Sequence, residues 1–500
     1  MVERRTVAPD VAGSIPVTHP ISARSAPRRR WPRLSRILIG IAVTGTAGVI
    51  VARVAGVRLE VDGTGIRPML FRFDADAHFA ALEADRSAQQ ADRALPIVEP
   101  RPRGTVAAPA AADRRPEALW PAYRGVARDG RYDHGILTDW PAAGLPRLWH
   151  QPIGGGYAAF AAADGRLFTI EQRRDREVVT AYDTDTGHEL WAHGWAAFFR
   201  EAMGGDGPRA TPTWDNGRLF ALGATGELHS LDAATGRLRW RTNILTDAGA
   251  RNLDWAMAAS PLVVDDRVVV LPGGGGGRSV AAYDADTGEP VWAALNDVQG
   301  YTSPMLVTLA GRRQILVVTA ERAAGLSVDD GTILWDYPWV VSTVPNVSQP
   351  VMVGDDRLFL SAGYGQGAAL IEVLNTGDRL AARELWRTNR MKNKFSSSVV
   401  HEGHIYGLDE SILACLDVET GELIWKAGRY GYGQLLLADG HLVVLTERGD
   451  VALVRATPDG HEELVRFAAI SGKTWNTPTI ADGRLYVRNT TEMAAFDISP

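Results

Sequence analysis

From Leu145 onward the chain is organised as short apolar runs separated by tight-turn residues. ATPTWDNGRLFAL from Ala210, ASPLVVDDRVVVL from Ala259 and NTPTIADGRLYV from Asn476 each join two apolar runs across an Asp-Gly-like turn. Asn-Gly and Asp-Gly favour the positive φ values of two-residue hairpins, so each segment predicts a pair of antiparallel strands. A third run then leads through Asp-x-x-Thr-Gly into a Trp-ended strand. AYDTDTGHELW ends at Trp191, SLDAATGRLRW at Trp240, AYDADTGEPVW at Trp292, SVDDGTILW at Trp335 and CLDVETGELIW at Trp425.

With weaker copies at Trp149, Trp386 and Phe467, the anchors recur at intervals of about 40 to 50 residues, enough for four short strands each and without helical periodicity between them. Repeating four-stranded units of that size predict an all-β β-propeller. The ends set the blade number. The last unit, from Trp475 to Pro500, has three strands and no Thr-Gly-Trp segment. LPRLWHQPI, from Leu145, is a Trp-bearing outer strand with no inner strands before it. Pairing the two makes an eighth blade and leaves no unpaired edge between first and last blades, so residues 145–500 are expected to form an eight-bladed ring.

The 144 residues ahead of the ring read differently. Residues 1–36 carry eight arginines against two acidic residues and read as a basic cytoplasmic leader. Residues 37–57 are apolar except for Arg53, which can snorkel, and predict one transmembrane signal anchor before the propeller. Residues 58–95 read as a short, partly helical juxtamembrane segment, 96–118 as a Pro/Ala-rich linker and 119–144 as a latch across the propeller rim. This arrangement predicts a single-pass protein of a bacterial-type inner membrane, its N-terminus cytoplasmic and its propeller periplasmic or otherwise outside the cytoplasm.

The net charge is −6, and the leader's excess of six positive charges leaves about −12 on the remainder, which argues against a nucleic-acid partner. The single cysteine, Cys415, excludes an intrachain disulfide and falls on a third strand, where a small apolar residue packs.

The motif Ala-x-Asp-x-x-Thr-Gly-x-x-x-Trp, at Ala181–Trp191 and with one residue of drift at Ala281–Trp292, resembles the pyrroloquinoline-quinone repeat over nearly all of residues 145–500. The resemblance implies that Trp149, Trp191, Trp240, Trp292, Trp335, Trp386 and Trp425 dock between blades. It also implies two kinds of function. One branch comprises quinone-dependent dehydrogenases with the cofactor and a calcium ion in a central funnel; the other comprises non-catalytic propellers, including a lipoprotein of the outer-membrane assembly machinery. Adjacent cysteines or a Cys-x-x-Cys-His haem site, found in several of the dehydrogenases, cannot come from one cysteine.

The strand order itself predicts a site. Each crossing from an outer strand to the next inner strand arrives at the same mouth of the ring. The crossings bring Tyr157, Arg209 with Thr211, Trp255, Tyr301, Asn346 with Gln349, Lys394, Tyr430 with Tyr432, and Trp475 with Asn476. A flat carboxylated quinone needs aromatic faces, cations and hydrogen-bond donors. Arg209, Trp255, Tyr301, Asn346, Gln349, Lys394, Trp475 and Asn476 are the candidates, with Asp254 as general base. Glu201, Asp206 and Asp254 lie near crossings, but their spacing selects no metal. Two expectations stand together: a membrane-anchored scaffold that binds a protein or small ligand without chemistry, and a quinone-dependent dehydrogenase of an alcohol or sugar.

Overall fold

A computed structural model describes residues 57–72, 74–94, 120–201, 204–341, 346–377 and 379–500. They form an eight-bladed propeller of antiparallel sheets. In chain order the blades span residues 161–196, 213–243, 262–294, 305–338, 351–388, 399–429, 434–468 and 479–497. The eighth is completed by Arg147–Pro152, which pairs with Glu492–Asp497 and sets Trp149 opposite Ala495.

Local chemistry explains the repeat. At the first hairpin of blade 2, Asn216 and Gly217 hold φ of 45° and 75°, the pair of positive angles that matches strand twist. At the rim turn of blade 3, Asp284 Oδ1 accepts the amides of Asp286 and Thr287 at 3.0 and 2.8 Å and the Thr287 hydroxyl at 2.9 Å. Gly288 follows at φ 76°, where a Cβ would meet the Trp240 indole at 2.6 Å. Each Thr-Gly turn is thus a seat for the previous blade's tryptophan. The Trp240 Nε1 donates to Ala285 O at 2.9 Å, and Trp149, Trp191, Trp292, Trp386 and Trp425 make the same bond to Thr184, Ala233, Val328, Val418 and Thr457.

Trp335 differs from the docking that the resemblance implies. Its indole nitrogen stays within its own blade and donates to Gln314 Oε1 at 2.6 Å. Blade 5 has Asn375-Thr376-Gly377 between two nine-residue strands instead of the Asp-x-x-Thr-Gly turn, so the usual carbonyl seat is missing there.

A second belt joins the blades near the axis. Ala159 N donates to Thr211, Thr211 N to Ser260, Ser260 N to Ser303, Ser303 N to Gln349 and Gln349 N to Ser397, each to a side-chain oxygen of the next blade at 2.9–3.0 Å. The cores lie between blades as separate clusters, such as Phe168, Ile170 and Val179 against Leu219, Ala221 and Leu231. Cys415 is buried in one of them, its thiol pushed up to about 12 by burial.

The segments ahead of the ring divide in two. The leader 1–36, the linker 96–118 and all of the expected anchor 37–57 except Val57 lie outside the described residues. Val57 begins a strand, Val57–Val61, that forms a two-stranded hairpin with Pro68–Arg72. Among the described residues no helix is long and apolar enough to cross a membrane. The helix Ala75–Ala94, capped by Asp74, lies on blades 8 and 1: Arg86 donates to Pro152 O at 2.7 Å and Gln89 Oε1 accepts the Glu189 amide at 2.9 Å.

The stretch expected as a rim latch instead enters the axis. Trp120 pairs with Ala162, and Arg128 donates to the carbonyls of Ser260, Pro261 and Pro304 and to the Thr213 hydroxyl. Arg124 reaches Ser398 O and Leu435 O at 3.0 and 3.3 Å, and Arg131–Tyr132 adds a parallel strand inside blade 7. Two fully buried arginines fix this path, because guanidinium forks satisfy the carbonyls that inner strands leave facing the channel. The remainder of the stretch turns outward, and Trp140 packs on Phe467 between blades 7 and 8.

Candidate functional site

The crossings enclose a cavity of about 410 Å³ at one mouth of the ring. Its walls include Tyr157, Arg209, Trp255, Tyr301, Tyr364, Lys394, Phe395, Gln434 and Trp475. Tyr123 of the axial segment and residues Val61–Gly65 of the N-terminal hairpin also line it. The chamber therefore has a floor and a cover built from the chain that precedes the propeller.

Of the residues singled out from sequence, Arg209, Trp255, Tyr301, Lys394 and Trp475 meet here. Arg209 is half-buried and donates to Gly205 O and Gly207 O at 2.8 and 2.6 Å, with its guanidinium over Tyr157 and Phe199. Burial lowers its pKa, partly countered by Tyr157 and Glu201. Lys394 sits 5.0–5.3 Å from the centroids of Tyr364, Phe395 and Tyr432, an aromatic cage. Desolvation lowers its pKa, and Glu410, Asp62 and Glu447 act in the opposite sense. Tyr364 and Tyr432 are themselves pushed up to about 12 by burial. Trp475 lies under Lys473, 3.8 Å from nitrogen to ring centroid, and beside Phe395 at 4.8 Å.

The other candidates point elsewhere. Asn346 donates to Thr319 O and Trp339 O, Asn476 to Gly156 O and Ala158 O, and Gln349 to Ser303 O, all buried between strands. These amides join blades to one another. Asp254 is exposed and does not line the cavity. Tyr430 turns to the outer part of blade 7, where its hydroxyl meets His461 and Glu463 at 2.8 and 2.7 Å.

Sequence reasoning passed over Glu447 and Tyr364. Both lie on turns between the second and third strands of a blade. Strand alternation brings those turns to the same mouth as the crossings, so the signal was available in the hairpin count. The covering hairpin carried no such signal, because residues 57–72 fall across the boundary of the apolar run.

The cavity does not suit a quinone with calcium. Both cations of the wall already hold main-chain carbonyls, Arg209 as above and Lys394 through Gly63 O at 2.5 Å. The candidate amides are engaged between blades, and among the described residues the one carboxylate lining the cavity is Asp62 of the cover. Among the described residues no group of three or more His, Cys, Asp or Glu side chains is placed to hold a metal ion.

Eight blades, Thr-Gly seats and docked tryptophans define a propeller of the pyrroloquinoline-quinone-repeat class. The family profile described as outer membrane protein assembly factor BamB matches residues 174–427 and 409–499, and the chain belongs to that family. An outer membrane protein assembly factor BamB from Moranella endobia is 26% identical over 260 residues, 49% of this chain and 64% of that protein. Its counterpart in Burkholderia pseudomallei is 23% identical over 61% of this chain and 75% of that protein.

The crystal structure of BamB from Moraxella catarrhalis superposes with a TM-score of 0.53 at 17% identity, covering 71% of this chain and 99% of that one. Quinohemoprotein alcohol dehydrogenase from Comamonas testosteroni gives 0.54 at 14% identity, covering 84% of each chain. Both likenesses are of fold. The relatives overturn the placement expected from sequence: they are named for the outer membrane, and a single-pass inner-membrane protein conflicts with that family.

Proposed function

We propose that this protein is a non-catalytic scaffold that binds protein partners in the assembly of outer membrane proteins. Membership of the assembly-factor family carries the reading. The mouth supports it, because the place where a quinone-dependent propeller would hold its cofactor is covered here by the chain's own hairpin, and its cations are engaged by main chain. In a strain lacking this protein, the amounts of folded β-barrel proteins in the outer membrane should fall while their transcripts do not. Unchanged amounts would sink the scaffold reading. Adding pyrroloquinoline quinone and calcium to the purified chain should give neither binding nor dye reduction with a panel of alcohols and sugars; turnover would restore the dehydrogenase reading.

A further inference from the structure

The tip of the N-terminal hairpin is held by one residue's backbone. Gly63 N donates to Glu447 Oε1 at 2.7 Å, and Gly63 O accepts from Lys394 Nζ at 2.5 Å. Both polar groups of a single residue are therefore read by two oppositely charged side chains from different blades. Each reader is itself held: Glu447 also accepts the Trp475 indole N–H at 3.0 Å, and Lys394 stands in its aromatic cage.

The third wall sets the side chain. A Cβ at Gly63 would lie 2.2 Å from the Tyr432 ring, too close for any residue but glycine without moving that ring. The turn behind the glycine is closed on itself, with Asp62 N bonded to Arg67 O and Gly65 N to Asp62 O, both at 2.9 Å, and Thr64 N to Asp62 Oδ1 at 3.0 Å. Its strands pair with each other and join no blade. A two-stranded hairpin of this size is marginal by itself, so docking of the tip contributes to keeping it folded, and undocking does not require breaking the ring.

We infer that the mouth is a receptor for a glycine-tipped β-turn, filled in this chain by residues 61–65 and open to a turn of the same kind from a partner protein once that tip withdraws. The chemistry of the ligand is specific: a free amide and a free carbonyl on one glycine, presented at the end of a tight turn with no side chain towards Tyr432. Recognition of backbone groups by fixed side chains gives affinity without demanding one sequence. The tethered tip competes at an effective concentration on the order of millimolar, which keeps the mouth covered until a partner supplies a turn at higher local concentration. The receptor stands independently of the scaffold reading; its use by a partner rests on that reading.

The test uses the full chain and a cyclised peptide of residues 57–72. In the variant Gly63→Leu the chain's own tip is excluded by Tyr432, and the added peptide should bind at least tenfold more tightly than to the unaltered chain by calorimetry, with a change in tryptophan emission as it reaches Trp475. A peptide carrying leucine in place of Gly63 should not bind, and adding Lys394→Met to the opened chain should weaken binding at least tenfold. Equal affinity of the peptide for the opened and unaltered chains, or binding of the leucine peptide as tight as that of the glycine peptide, would overturn the inference. A second measurement does not depend on the variant's folding: on the unaltered chain, bound peptide should speed deuterium uptake across residues 57–72, and unchanged uptake at saturating peptide would overturn displacement. Neither readout involves an outer-membrane partner, so failure here and failure of the scaffold reading are separable.

Discussion

The rim and the axis of this ring satisfy the same kinds of polar groups in opposite ways. At the rim, Asp284 caps amides two and three residues away, and six of the rim tryptophans donate to a carbonyl of the next blade's rim turn. At the axis, Glu447 reaches Gly63, 384 positions distant, and Arg128 collects carbonyls from blades 3 and 4 along with a blade 2 hydroxyl. Rim chemistry is local and therefore repeatable. Apart from the belt between neighbouring blades, axial chemistry is singular, and its groups depend on segments far apart in the chain.

The largest expected effect tests the rim. Trp240→Ala removes a buried indole wedged on Gly288, and should cost about 3–5 kcal/mol, read from the urea midpoint. Arg128→Met tests the axis. Each buried carbonyl it abandons is worth about 1–3 kcal/mol, so a loss near 3 kcal/mol is expected although the residue belongs to no blade. A loss under about 1 kcal/mol would show that the axial segment is dispensable and the contrast misplaced.

Two fully buried glutamates on the first two long strands of blade 1 sharpen the comparison through pH. Burial alone would raise the Glu171 carboxyl, but the guanidiniums of Arg173, Arg488 and Arg86 and the Tyr182 hydroxyl outweigh it and hold it at about 2, below the ordinary 4.5. Its carboxylate contributes stability that is complete above about 4.5 and is lost as pH falls towards 2. Glu177 has the Ala224 amide and no such cluster of cations, and burial raises it to about 7. The fold favours its protonated form, so stability declines as pH rises from 4.5 through 7. Glu177→Gln should remove that decline and leave the chain more stable at pH 8, whereas Glu171→Gln should be destabilising at pH 7 and flatten the acid limb. Chemical denaturation across pH 3–8 reads both; the same pH profile for the two variants would break the distinction.

The smallest effect returns to the rim. Asp284→Asn leaves an oxygen for the same turn amides and should cost about 1 kcal/mol or less, with no change at the mouth.

The same division explains what could be read from the chain. Blade number and closure were legible because the Thr-Gly seat and the Trp that fills it are local and repeated, and the partial units at Trp149 and Trp475 could be added together. The mouth was half legible. Crossings can be enumerated, so Arg209, Trp255, Tyr301, Lys394 and Trp475 were brought to one place. Enumeration cannot say which way a side chain turns: Asn346, Gln349 and Asn476 found backbone partners between strands and left the cavity wall. Trp335 escaped its expected seat because the neighbouring turn has a different sequence. The axial path of Arg124 and Arg128, and the cover formed by Gly63, depend on contacts with partners from 85 to 384 positions away.

The pairing of Arg147–Pro152 with Glu492–Asp497 sets the timing of folding as well as its geometry. Blades 1 to 7 can be built as the chain is made, but until the last strand arrives they form an open arc whose two edges are exposed and whose centre has no complete wall. Trp149 waits through all of that synthesis for its strand partner. A fold of this kind has its weakest moment immediately before completion, and any factor that shields those two edges would act there.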